Sequence, residues 1–340
     1  MKVGLVGYGL AGSVFHAPHI NACEGLELSA IVSSRASEIN KVYPHTSVLK
    51  DIKDLLGMDL DIIVIASPND THYEFAKMAI EKGCHVVVDK PFTPSLEQTQ
   101  ELINLAKKQN VLVTSFHNRR LDGDFLTIKK LIADKKLGDV KVFESNFNRF
   151  RPTVNKDNWR ETTDIAGGVF YDLGPHLIDQ ALALFGMPSE VFLISDAMRE
   201  GAKNSDFFKA HLLYTDKKVE LNAHCFHASP SLRYKVLGNL AAYEKYGMDP
   251  QEARLRERAY HQENGVYLDS EHGILYSENS QEEVKTVDGN YLGFYENFQK
   301  AIKAEEDLLV KPIDIYNVQY LIEKLLESYE KKAVISLEDK

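Results

Sequence analysis

Apolar residues follow two rhythms along this chain of 340 residues. In the first part, short unbroken apolar runs alternate with longer stretches of helical period. Lys2–Val6, Leu26–Val32, Asp61–Ile65, Val86–Val88 and Val111–Ser115 read as strands. Runs apolar at every position suit strands buried on both faces, as in a parallel sheet. Helices are expected between them at Ser13–Ala22 (bent near Pro18), Tyr73–Lys82 and Leu96–Lys108. Strand–helix alternation at this spacing means βαβ units.

After Arg120 the rhythm changes. Asp122–Asp134 is amphipathic, with Phe125, Ile128, Leu131 and Ile132 at helical spacing. Val140–Phe147 then alternates apolar and polar, as a half-buried strand does. Similar runs follow at Val191–Ala197, Phe207–Tyr214, Val219–Phe226 and Tyr234–Leu237, with weaker ones at Gly273–Tyr276 and Val284–Val287. Together they predict one large, mostly antiparallel sheet. Residues 249–264 are polar and predict a surface loop or helix, and Leu292–Ala304 and Ile313–Lys331 predict closing helices. The fold class expected is α/β: a dinucleotide-type domain over residues 1–119, then an α/β domain with an open sheet over residues 120–340. A broad sheet leaves one face to be covered, so a homo-oligomer is expected.

Composition narrows the picture. With 40 basic against 50 acidic residues the net charge is −10, which argues against nucleic acid as partner. Three well-separated cysteines, Cys23, Cys84 and Cys225, form no C-x-x-C pair and suit reduced thiols in a cytoplasm. No apolar run approaches the length of a membrane span.

Four stretches carry candidate chemistry. Gly7-Tyr8-Gly9-Leu10-Ala11-Gly12 is G-x-G-x-x-G between a strand and a helix, the setting in which backbone approaches a pyrophosphate at a helix N-terminus. The next strand ends in Ser33-Ser34-Arg35 rather than an acidic residue. Hydroxyls and a guanidinium suit a 2′-phosphate, so NADP is expected, with NAD possible. Ser67-Pro68-Asn69-Asp70-Thr71-His72 is loop and helix-cap chemistry at a strand's carboxyl end, with His72 a ligand contact or a polar cap. Asp89-Lys90-Pro91 ends the valine strand, where proline keeps Lys90 extended toward a ligand.

Farther on, Gly167–His176 leads into Leu177–Leu182. Gly174-Pro175 reads as a helix start, which would put His176 in the first turn, biased toward neutral by the helix dipole. Asp179 would share its face. On these residues alone, helix-start carboxylates at Asp172 and Asp179 and a packed imidazole at His176 are the readier reading. No clustered ligand set appears, and a metal is not required, because Lys90 supplies positive charge.

G-Y-G-L-A-G, D-K-P and G-G-x-x-Y-D-L-G-x-H-x-x-D, in this order, resemble the glucose–fructose oxidoreductase / inositol dehydrogenase (Gfo/Idh/MocA) family over essentially the whole chain. Gly7–Pro18, His117–Arg120 with Asp124–Ile132, and Lys245–Glu252 are similar to its NADP-dependent scyllo-inositol dehydrogenase branch. The resemblance implies a Rossmann domain followed by an open-sheet domain whose solvent face forms the interface of a homodimer or homotetramer. It implies that Lys90 holds the reacting oxygen, that His176 is the acid/base with Asp172 beside it, and that the substrate is a cyclic polyol or sugar. Asp89 departs from the glutamate common in the family. Expected cofactor contacts are Gly7, Gly9, Leu10, Gly12, Ser33, Ser34, Arg35, Ser67, Pro68, Asn69, His72, Asp89, Lys90 and Asn118. Expected substrate contacts are Lys90, Asn118, Arg119, Asn148, Tyr171, Asp172 and His176. A catalytically silent regulator and an NAD-dependent glycosidase on the same fold are the alternatives; Lys90, Asp172 and His176 together speak against the first, and Ser33-Ser34-Arg35 against the second.

Overall fold

The computed structural model describes residues 1–155, 167–257 and 268–337. The chain forms two compact units. The first holds Met1–Leu121 and two returning segments, one starting at Pro250 and one spanning Asn290–Gln319; the second holds the remainder. The expected division near residue 119 did not include the returns.

In the first unit, β1 (Lys2–Val6), β2 (Glu27–Val32), β3 (Ser47–Leu49), β4 (Ile62–Ile65), β5 (His85–Val88) and β6 (Val113–Ser115) form one sheet, ordered β3-β2-β1-β4-β5-β6. Every neighbouring pair is parallel. Val86, Val87 and Val88 have no exposed surface, as a central strand buried on both faces requires. The strand order reverses between β1 and β4, so the carboxyl edge opens into a crevice there. The helices include α1 (Ala17–Ala22), α2 (Ala36–Val42), α3 (Ile52–Leu56), α4 (His72–Glu81) and α5 (Leu96–Gln109). Ala11–His16, just ahead of α1, is wound as a π-helix and runs on into it. The wider winding lies just upstream of Pro18, which lacks the N–H an α-helix would aim at the carbonyl of Val14.

The second unit begins with α6 (Gly123–Ala133) and β7 (Val140–Asn146), followed by α7 (Gly168–Phe185). After it come β8 (Glu190–Asp196), β9 (Phe207–Leu213), β10 (Lys218–His224), β11 (Leu232–Gly238) and β12 (Ala242–Tyr246). Helix α8 (Gln251–Arg256) belongs to the first unit, whereas β13 (Gly273–Ser277) and β14 (Ser280–Val284) return to the second. Two closing helices, α9 (Leu292–Ile302) and α10 (Pro312–Lys331), precede β15 (Ile335–Ser336). Nine strands form one sheet ordered β14-β13-β12-β11-β7-β10-β9-β8-β15, in which only β7 and β10 pair in parallel.

The polar stretch expected over 249–264 is helical at Gln251–Arg256, and residues 258–264 lie outside the described residues. The strand expected at Val284–Val287 sits earlier, at Ser280–Val284, because it closes a hairpin with β13. Its charged, exposed residues leave no apolar alternation to read.

Helix α7 lies against the sheet and is tied to it by a buried arginine. Arg233 donates to Gln180 on the helix (3.2 Å), to Ser145 Oγ (2.9 Å) and to Tyr234 OH (2.8 Å), with the Asp124 carboxylate 3.6 Å from its Nε. A buried guanidinium is tolerable only with such a shell of acceptors. None of the three cysteines forms a disulfide. Among the described residues, no helix is long and apolar enough to cross a membrane.

Candidate functional site

The glycine turn follows β1 at the crevice of the first unit. Gly7 has φ +98°, and a Cβ there would lie 2.6 Å from the Ala66 carbonyl oxygen at the end of β4. A Cβ on Gly12 would lie 2.1 Å from the Gly7 oxygen, so side chains at either position would force the turn apart. A Cβ on Gly9 would meet nothing within 4 Å. The middle glycine thus faces open space while the outer two are packed, as a backbone cradle for a pyrophosphate requires. Leu10 is exposed beside it. These residues fit a dinucleotide.

At the end of β2, Ser33 Oγ accepts the Arg35 N–H at 3.1 Å, which folds the loop so that Ser34 and Arg35 are exposed. The third loop is held by its own side chains: the Ser67 and Thr71 hydroxyls are 2.6 Å apart, and Thr71 donates to the Pro68 carbonyl. Asn69 opens the short 3-10 turn that follows. His72, expected among the cofactor contacts, is placed otherwise. Its ring is buried, and both nitrogens face carbonyl oxygens of the protein, Nδ1 at 2.8 Å from Pro91 and Nε2 at 3.0 Å from Ser67. No ring nitrogen is left for a ligand.

Lys90 is half-buried just beyond β5, two strands from β1 on the same carboxyl edge as the glycine turn. The Asp89 carboxylate accepts the Lys90 backbone N–H at 2.8 Å and so shapes the turn. Asn118 is buried in the 3-10 turn after β6. Arg119, expected against substrate, is buried in an ion pair with Glu252 of α8. Its charge is engaged within the first unit, because α8 returns there from far along the chain.

Two buried histidines lie behind this edge. His16 contacts the Tyr295 hydroxyl through Nδ1 at 2.6 Å and packs on the Phe116 ring at 4.3 Å. Burial lowers the pKa of both His16 and His19 to about 4, from 6.5. Both rings are therefore neutral in the fold, while the unfolded chain takes up their protons below pH 6.5. Stability falls as pH drops from 6.5 to 4, at about 1.4 kcal/mol per pH unit per ring, reaching roughly 3 kcal/mol each. Urea unfolding at pH 7 and pH 4.5 checks this: the drop should shrink in a His16→Gln/His19→Gln double variant, and an undiminished drop would contradict it.

In the second unit the site gathers at the start of α7. Gly168 has φ +85°, and a Cβ there would lie 2.6 Å from the Ser205 carbonyl oxygen, so the helix begins pressed against that segment. The helix starts at Gly168 and not at Gly174-Pro175, and Pro175 is inside it. Buried Phe170, Leu173, Leu177, Ile178 and Ala181 keep helical spacing across the proline, which removes only one backbone bond. His176 is therefore eight residues past the helix start, and the helix dipole does not bias its ring. Asp172 and His176, four apart, share a face one turn from each other, and buried Asp179 lies on that face a further three residues on.

Asp172 lines a pocket with Arg149, Arg151, Arg199 and Asn204. The Arg149 guanidinium is 3.7 Å from the Asp172 carboxylate and covers the Phe147 ring at 4.9 Å. Arg199 is buried against Asp206 at 3.0 Å, which ties down the pocket wall. Arg149 was not among the expected site residues, although the alternation of the run Val140–Phe147, carried two residues further, puts it on the side of Phe147. Among the described residues, the buried side-chain oxygen of Asn148 has no hydrogen-bond partner, which leaves an acceptor available. Tyr171, expected against substrate, is absent from the pocket lining, and Glu323 and Glu330 add to burial in raising its pKa. One residue from Asp172, it falls on a different face of the helix.

Comparison with known proteins places these features in a family. The model for an oxidoreductase family with an NAD-binding Rossmann fold matches residues 1–117, and the model for the C-terminal alpha/beta domain of the same family, Gfo/Idh/MocA, matches residues 129–337. The chain is 42% identical to the uncharacterized oxidoreductase YdgJ of Escherichia coli, over 99% of each chain. It is 35% identical to the NADP(+) scyllo-inositol 2-dehydrogenase IolW of Bacillus subtilis, over 99% of this chain and 96% of that one. A solved oxidoreductase structure from Yersinia pestis superposes with a TM-score of 0.93 at 39% identity, covering 100% of this chain and 98% of that one.

Proposed function

Because this chain belongs to the Gfo/Idh/MocA family of oxidoreductases, we propose that it transfers a hydride between a secondary hydroxyl of a cyclic polyol or sugar and NADP. The observation that carries this reading is the placement of Lys90 on the same sheet edge as the glycine turn, two strands away. Oxidising an alcohol requires a base for the hydroxyl proton and a cation for the developing alkoxide. Lys90 supplies the cation. His176 takes the proton, and Asp172 holds substrate hydroxyls or orients the imidazole. Asn148, Asn118 and the pocket beside Asp172 add polar partners, since every buried hydroxyl of a polyol must find one. A dinucleotide held by its pyrophosphate at the glycine turn would supply the nicotinamide that accepts the hydride. The polyol assignment draws support from the relative IolW. Incubation with NADP and a panel of inositols and aldoses, followed by absorbance of the reduced nicotinamide, tests it. Turnover of a cyclic polyol is expected; NADP binding with no turnover of any member would favour a silent regulator.

The preference for NADP rests on Ser33, Ser34 and Arg35 at the end of β2. Arg35→Ala is expected to raise KM for NADP by about 10- to 100-fold, the loss of a charge-assisted hydrogen bond, with KM for NAD within about twofold. Initial-rate kinetics with both cofactors check it, and equal effects would contradict it.

We also propose a homo-oligomer, dimer or tetramer, assembled through the nine-stranded sheet. On β8 and β9, Val191, Leu193, Phe208, Ala210 and Leu212 are buried, while Phe192, Ile194, Phe207 and Leu213 alternate with them on the opposite face. Light scattering should report a multiple of the chain mass and a lower one for Ile194→Lys. A monomer in both would contradict it.

A further inference from the structure

We propose that His72 is a positioning residue for Lys90, acting as a strut between two loops at the carboxyl edge of the parallel sheet. Its ring is 1% exposed and spans from the Ser67 carbonyl, just beyond β4, to the Pro91 carbonyl, one residue after Lys90. The two ring nitrogens, at opposite ends of one rigid plane, each face one carbonyl oxygen, so the ring fixes the distance between the two loops. Few side chains place polar nitrogens at two separated points of one rigid plane, and neither leucine nor glutamine does. The strut starts at the first residue of α4, whose backbone is set by the helix, so the fixed end is the helix and the located end is the lysine turn.

Two other restraints converge on that turn. Asp89 accepts the Lys90 backbone N–H, and Thr93, three residues on, bonds the Thr99 hydroxyl at 2.5 Å and the Ser95 carbonyl at 2.8 Å, tying the following loop to the start of α5. His72 ties the lysine turn to the Ser67 loop. A displacement of about 1 Å at a reacting group can cost on the order of 100-fold in rate, so a dedicated strut has a measurable effect. The inference rests on the reading that Lys90 acts on the reacting oxygen.

The test is His72→Leu, which keeps bulk and removes both ring nitrogens, beside His72→Gln, whose amide carries one nitrogen only, and Lys90→Met. Each variant is checked by circular dichroism, then measured for kcat, KM and NADPH dissociation constant by fluorescence titration. In His72→Leu kcat should fall about 10- to 100-fold while NADPH affinity and KM stay within about twofold, with His72→Gln between it and the parent protein. Should the leucine variant fail to fold, the glutamine variant carries the same criterion. Unchanged kcat in a folded variant overturns the strut, and so does a loss of NADPH affinity as large as the loss of kcat, which would make His72 a cofactor contact. If Lys90→Met keeps full turnover, the reading of Lys90 fails and takes the strut with it. If Lys90→Met is inactive and His72→Leu fully active, the strut alone fails.

Discussion

Lys90→Met is expected to lower kcat by about 100- to 1000-fold, the size of effect seen when one preorganised donor to a developing oxyanion is removed. Methionine keeps the length and apolar stem of lysine and removes its charge, so packing at the turn should survive. The Asp89 carboxylate accepts the backbone N–H of residue 90, a contact that does not depend on the side chain. Cofactor affinity should therefore stay near that of the parent protein. Stopped-flow and steady-state rates with the best polyol of the panel, together with NADPH titration, read both quantities. Turnover close to that of the parent protein would remove Lys90 from the chemistry.

His176→Ala is expected to cost about 100- to 10,000-fold in turnover, the range for a lost general acid or base. The loss should come with a changed pH profile, because the limb of kcat/KM set by the base disappears with the imidazole. A purely packed imidazole predicts something different. His176 is buried in the interior of α7, so its truncation would lower the melting temperature and leave the pH profile of the folded fraction unchanged. Turnover against pH, compared with thermal unfolding of the same preparation, separates the two.

Much of this architecture was legible because burial writes directly into sequence. The strands β1, β4 and β5 are apolar at nearly every position because both faces are covered, and β8, β9 and β10 alternate because the two faces differ. The glycine motif was legible for a steric reason, since only a residue without Cβ fits at Gly7 and Gly12. What escaped depends on contacts between residues distant in sequence. Strand β12 carries buried Lys245, 3.1 Å from Asp269, so a core position reads as charged. Arg119 looks like a ligand arginine until α8 returns with Glu252. The start of α7 was misplaced because Gly-Pro is also a sound helix opening; its true start depends on the approach of Gly168 to Ser205, which no local pattern records. His72 was read from its loop, whereas its ring is decided by the carbonyl of Pro91, nineteen residues away.

Hydride transfer itself is tested most directly by isotope. Cyclic polyols bearing deuterium on the ring carbons are incubated with the protein and NADP, and the reduced cofactor is analysed by mass spectrometry. Direct transfer predicts one deuterium on the reduced nicotinamide ring, together with a primary isotope effect on the rate. Unlabelled reduced cofactor, or none formed from any polyol while NADP binds, would contradict it.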